Sequence, residues 1–224
     1  MTASPLATGP AGAGFEIDVG AIYLADLLVG APARGASGGA TLRVGFQRRA
    51  FGNPLDDVSV ESDSPSGPVH LALQLKRTFT FASKDREFGP VLEACWETAR
   101  KAAYASPASR FGVAIAHFPE KVKAHYGRVP SYARTSSDAA EFFQRIGLPR
   151  VASEAMRDFV HRIQERLKTF AGRDATDEAV WEFFKRLVIV DYDVDQDASR
   201  DLAFALHALR QSVPGADGIQ AQAL

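Results

Sequence analysis

Cysteine is nearly absent from this 224-residue chain: Cys95 stands alone, which excludes an intrachain disulfide and a cysteine-rich zinc site. Its place in a helical run beside Trp96 marks it as a core filler rather than a nucleophile. Excess charge of either sign is missing too. With 26 Lys and Arg against 27 Asp and Glu, the formal net charge is -1, so any contact with nucleic acid has to come from a local patch. No apolar run approaches the about 20 residues that a membrane helix needs. The N-terminus lacks the charged start and apolar middle of a signal peptide. A soluble, cytoplasmic protein without a membrane partner is therefore expected. The histidines, His70, His117, His125, His161 and His207, form no HExxH or paired spacing, so a histidine metal site is not expected. The glycines between Ala33 and Ala40 lack the Lys-Ser/Thr of a phosphate-binding loop, and no internal repeat is present.

What the chain does have is 46% hydrophobic residues, enough for one full core. Residues 1–12, mostly Ala, Gly, Pro, Ser and Thr with hardly any large side chain, are expected as a flexible tail, and residues 214–224 as a second one. Phe15, Val19, Ile22, Tyr23, Leu24, Leu27 and Leu28 predict a largely buried helix from Gly14 to about Gly30, with Glu16 and Asp18 in its first turn. Thr41 to Phe46 reads as a short strand, followed by a loop at Gln47-Arg48-Arg49 and a turn at Phe51-Gly52-Asn53-Pro54. Leu55 to Glu61 and Val69 to Lys76, joined by a Ser-, Pro- and Gly-rich turn, read as a hairpin whose second strand continues to Phe81. A helix from Glu87 to Tyr104 and a buried strand from Phe111 to Ala116 follow. Beyond lie helices starting at Asp138, at Ser153 and at Asp174 or Thr176, a strand at Leu187 to Val190, and an amphipathic helix from Ala198 to Val213. Asp191, Asp193, Asp195 and Asp197 lack the glycine and terminal Glu of an EF-hand loop and read as a solvated acidic turn.

The hairpin carries the chemistry. On a pleated strand side chains alternate, so Val58 and Val60 share one face with Leu71, Leu73 and Leu75. Asp57, Ser59 and Glu61 share the other with His70, Gln74 and Lys76. An acid on the first strand thus comes within reach of an amide and an amine on the second, because antiparallel partners lie only about 5 Å apart.

An acid followed by Gln-x-Lys on the adjoining strand is similar to the arrangement of the PD-(D/E)xK nucleases, with Gln in place of the second acid. Gly14-Phe15-Glu16, Asp56-Asp57-Val58 and Gln74-Leu75-Lys76 together resemble the N-terminal double-stranded DNA endonuclease domain of bacterial antiviral effectors. That domain occurs fused to SAVED domains in CBASS systems and to STAND NTPases in AVAST-type systems. The likeness covers roughly the first half of the chain, to about Ala116. It implies an α/β fold with a restriction-endonuclease-like core, a central mixed sheet flanked by helices, over residues 13–130. A mainly helical extension over 131–213 packs on that core. The order helix, three strands, helix, strand agrees with it.

The resemblance further implies a magnesium ion, or manganese, held by Glu16, Asp57, the Gln74 amide oxygen and the Leu75 carbonyl. Lys76 orients the attacking water and stabilises charge on phosphorus. Asp56 is the second choice for the acid. Arg48, Arg49, Arg77 and Lys84 are the candidates for DNA backbone contacts. Double-stranded DNA is the expected substrate, cut with little sequence preference. Expected partners are a second copy of the chain, through the helices after Ser153, and a sensor or NTPase module, fused or associated. Two other classes stay open from the residues themselves: an inactive nuclease-like module that binds DNA or a partner, and a helical oligomerisation domain in which the hairpin is scaffold.

Overall fold

A computed structural model of the chain describes residues 10–116, 119–194 and 199–212. The second tail, His117, and Asp195 and Asp197 of the acidic run lie outside the described residues. The fold is α/β. Helix α1 (Pro10–Val29) precedes strands β1 (Thr41–Phe46), β2 (Val58–Ser62) and β3 (Val69–Lys76), then α2 (Phe88–Ala99) and β4 (Arg110–Ile115). Helices α3 (Glu120–Ala124), α4 (Val129–Arg134), α5 (Ala139–Gly147), α6 (Glu154–Ala171) and α7 (Asp177–Arg186) lead to β5 (Leu187–Asp191) and α8 (Arg200–Ser212).

The sheet has five strands in the order β1-β2-β3-β4-β5. The first three are antiparallel, with Val58 opposite Leu73 and Val60 opposite Leu71, as the alternation requires. β4 and β5 then add in parallel, Leu73 facing Gly112 and Gly112 facing Val188. Gly112 has to be a glycine. A Cβ there would overlap the Val188 carbonyl of the neighbouring strand. The strand from residues beyond 130 is thus part of the same sheet as the hairpin.

Both faces of the sheet are covered. Val58, Val60, Leu71, Leu73 and Leu75 pack with Phe15, Val19 and Tyr23 of α1, and with partly buried Leu202 and Ala205 of α8. On the opposite face Ala72, Phe111, Val113 and Ile115 meet Leu92, Cys95 and Trp96 of α2 and the apolar sides of α6 and α7. Within α6, Met156, Phe159, Val160, Ile163 and Leu167 are buried at helical spacing, and Ser153, Thr176 and Asp138 cap their helices as their positions suggest. Glu141 completes the start of α5 by accepting from the N–H of Ser137 rather than of Asp138. The apolar faces of α6 and α7 are therefore used inside the chain. Exposed apolar side chains remain on α1, where Ile17 is 70% and Leu28 71% exposed, and on α8, where Phe204 is 64% exposed.

Several boundaries differ from the sequence reading. α1 begins at Pro10, inside the expected tail, because a proline at the first helical position loses no hydrogen bond and already holds a helical φ. Glu16 consequently stands in the second turn, and the first turn carries no acid. β2 starts at Val58, after a turn in which the N–H of Arg48 donates to Asp56 O at 2.8 Å. Residues Arg48–Phe51 form a short 3-10 turn rather than open loop. β3 ends at Lys76 instead of running to Phe81. There Asp85 draws the chain away from the sheet by accepting from the Thr80 N–H at 2.8 Å and its hydroxyl at 2.9 Å. Phe79 and Phe81 then turn together into the core, edge to face at 4.8 Å. α2 stops at Ala99, short of Tyr104, and Arg186 clasps the carbonyls of both residues.

Candidate functional site

The site lies where β2 runs out beside β3. Continuing the β2–β3 register by one residue sets Asp57 against Gln74, and the Asp57 Oδ2 accepts from the Leu75 N–H at 2.7 Å and from the Gln74 amide. Gln74 uses its nitrogen for this, not its oxygen. Lys76 O accepts from Ala116 N–H in the chain after β4 at 3.4 Å. Successive residues of a strand face opposite sides, so both the N–H and the C=O of Leu75 point toward the Asp57 side.

Asp57 is only 8% exposed. Burial pushes its carboxyl up to about 7, and the negative charges of Glu16 and Asp56 push the same way. The Leu75 N–H and the Lys76 ammonium oppose them. The structure thus brings Glu16, Asp57, Gln74, Leu75 and Lys76 into one neighbourhood, from α1, the β2 entrance and the end of β3. Asp56 acts on it by charge.

Two residues of this neighbourhood were not marked in the sequence. Gln47 has φ 48 and ψ 49, the left-handed region, where a residue with a side chain sits at a cost of about 1 kcal/mol. Its N–H donates to Asp57 O at 3.4 Å and its amide to Glu16 Oε2 at 3.2 Å, so one strained residue joins the two acids. Glu87, just before α2, pairs with Lys76 at 2.8 Å. Neither had a sequence signal, since a left-handed glutamine and an ion pair between distant elements follow from tertiary placement.

A cleft of about 270 Å³ opens on this point, lined by Glu16, Ile17, Gly20, Leu24, Phe46, Gln47, Asp57 and Leu75. The cation candidates flank it rather than forming one patch. Arg48 and exposed Arg49 lie beside Asp56, with the Arg48 guanidinium 4.3 Å from the Phe51 ring centroid. Arg77, half-buried, and Lys84, exposed, lie on the far side after Lys76. His70 is not at the site: it leans on Tyr104 at 5.6 Å on the opposite stretch of the hairpin. Cys95 is buried among apolar side chains, which drives its thiol pKa up and leaves it without nucleophilic character.

Among the described residues no group of three or more His, Cys, Asp or Glu side chains gathers to hold a metal. The oxygen donors at the β2–β3 end are the carboxylates of Glu16 and Asp57 and the Leu75 carbonyl, while Gln74 presents its amide nitrogen to Asp57. That all-oxygen set suits a hard ion such as Mg²⁺, which keeps several waters and takes few protein ligands. Comparison with protein-family models, with curated proteins and with solved structures finds no match to this chain. No helix among the described residues is long and apolar enough to cross a membrane.

Proposed function

We propose that the chain is a divalent-metal-dependent endodeoxyribonuclease with a restriction-endonuclease-like core. The observation that carries the reading is the meeting of Asp57 with the Gln74-Leu75-Lys76 stretch at 2.7 Å, in reach of the negative charge of Glu16. The element order and the antiparallel hairpin followed by a parallel β4 support it.

Glu16, Asp57 and the Leu75 carbonyl would hold Mg²⁺ or Mn²⁺, joined by the Gln74 oxygen once its amide, whose nitrogen faces Asp57, turns over. When bound, the ion supplies a water of lowered pKa and a counter-charge for phosphorus. Lys76, 19% exposed at its side chain, faces the incoming phosphate as a compact cation. A substrate phosphate replaces Glu87 as its partner, so the ion pair keeps the ammonium placed until substrate arrives. Glutamine in place of the second acid lowers the negative charge of the site, and Glu16 carries more of the metal's affinity. Arg48, Arg49, Arg77 and Lys84 track the backbone on either side and read no base.

The substrate is double-stranded DNA, and two such sites facing opposite strands make a duplex break. A second copy, or a regulatory sensor or NTPase module that gathers copies, completes the effector, as in bacterial antiphage defence in the cytoplasm. A second reading, an inactive nuclease-like DNA-binding or oligomerisation module, is favoured by the lack, among the described residues, of any group of three or more His, Cys, Asp or Glu side chains placed to hold a metal. Supercoiled plasmid separates the two. Nicking in Mg²⁺ that stops in EDTA and in Lys76→Ala supports the nuclease, and binding without nicking at any protein concentration overturns it.

A further inference from the structure

Beside the catalytic neighbourhood, a second cavity of about 350 Å³ opens between the turn that leads into α2 and the outer face of α6. Its walls are cationic on the α6 side. Arg166 lies over the α2 start, where a Cβ on Gly89 would collide with its guanidinium, and it has no hydrogen-bond or ion-pair partner among the described residues. Arg162 spends one nitrogen on the Tyr126 hydroxyl at 2.7 Å, while its Nε is buried without a partner. A guanidinium carries five donors, so both side chains have donors unused.

The opposite wall adds neutral donors. Ser83 offers a hydroxyl, and the Gly89 N–H, in the first turn of α2, meets no carbonyl or side-chain acceptor among the described residues. Two acids also line the cavity, and each is compensated. Asp85 accepts from Thr80 through one oxygen and from the Glu87 N–H through the other, and Glu165 is paired with Lys168 at 3.4 Å. His161 stands exposed at the rim.

We propose that this cavity is a phosphate-binding subsite in which Arg166 and Arg162 grip a phosphate oxyanion against Ser83 and the Gly89 N–H. Its place in the molecule gives it a source. The Lys76 charge acts on Asp85, and Lys76 also pairs with Glu87, so the cavity is a near neighbour of the ammonium that faces the scissile phosphate. The oxyanion is then a further backbone phosphate of the same DNA. This assignment rests on the nuclease reading; the existence of the subsite does not. A free phosphate or nucleotide has the same chemistry and is the other source.

Arg166→Gln tests it, because an exposed side chain without a partner is removed at little cost to folding. Duplex DNA binding is measured by anisotropy without divalent metal, so that no strand is cut, and in parallel the thermal shift produced by inorganic phosphate and by a nucleoside monophosphate. In the substituted chain the DNA affinity is expected to fall about tenfold at low salt, the loss of one charge-assisted hydrogen bond. The slope of log affinity against log salt shrinks by about one. Loss of the phosphate-induced shift with DNA binding unchanged keeps the subsite and overturns its assignment to the DNA backbone. If neither changes, the proposal is overturned, and plasmid cleavage by the same preparation then leaves the nuclease reading standing. A DNA affinity that depends on Arg166 in a chain that never cuts leaves the subsite standing and removes the nuclease.

Discussion

Replacing Asp57 by Asn separates what the residue does for function from what it costs the fold. The carboxyl is pushed from its ordinary 3.8 to about 7, chiefly by burial. Below about pH 4 it is neutral in folded and unfolded chains alike. Between about 4 and 7 the unfolded chain ionises while the folded one keeps its proton, so the folded chain binds more protons and stability falls as pH rises. Above 7 the whole cost is present. Three units correspond to about 4 kcal/mol at most. Relaxation and water penetration around the buried charge take back part of that, leaving a gain of about 2 kcal/mol for the amide. In a chain of this size that raises the melting temperature by about 6 °C at pH 8. The gain should vanish at pH 4. Scanning calorimetry in EDTA at both pH values checks it, and Mg²⁺ should then stabilise the wild type and not Asp57→Asn. An Asn chain no more stable than wild type at pH 8, or equally stabilised at pH 4, refutes the electrostatic account of the site.

Glu87→Gln should leave stability within about 0.5 kcal/mol, as expected for a partly exposed ion pair; it should lower the DNA concentration needed for half-maximal cleavage, read from initial nicking rates. Gln47→Gly removes about 1 kcal/mol of left-handed strain and gains a similar flexibility cost. Urea unfolding should therefore move by less than about 1 kcal/mol, while cleavage falls because Glu16 loses the hydrogen bond from the Gln47 amide. Gly112→Ala should destabilise by more than about 3 kcal/mol, since its methyl collides with the β5 backbone at the sheet centre; unchanged urea unfolding would show that β4 and β5 are not neighbours as described.

Local chemistry made much of this fold readable. Alternation in Val58-Ser59-Val60 and Leu71 to Leu75 needed only a period of two, and the caps at Ser153 and Thr176 needed one side chain reaching one N–H. Boundaries set by distant partners were not readable. Thr78 to Phe81 alternates like a strand, yet Asp85 captures Thr80 and ends the ladder at Lys76. The same holds at the site. Asp57, Gln74 and Lys76 follow from strand parity, whereas Glu87 comes from another element and Gln47 acts through a backbone conformation that a glutamine does not advertise. The ion pair of exposed Arg34 with buried Asp201, at 2.8 Å, joins the loop after α1 to α8 and was equally silent in the sequence.

Crystals soaked in Mn²⁺ and measured at its absorption edge test the central claim most directly. The account predicts one strong anomalous peak at the β2–β3 end, within about 2.3 Å of Asp57 and of the Leu75 carbonyl and close to Glu16. That peak should be lost in Asp57→Asn. Manganese bound elsewhere, with this point empty while the protein still cuts DNA, would contradict it.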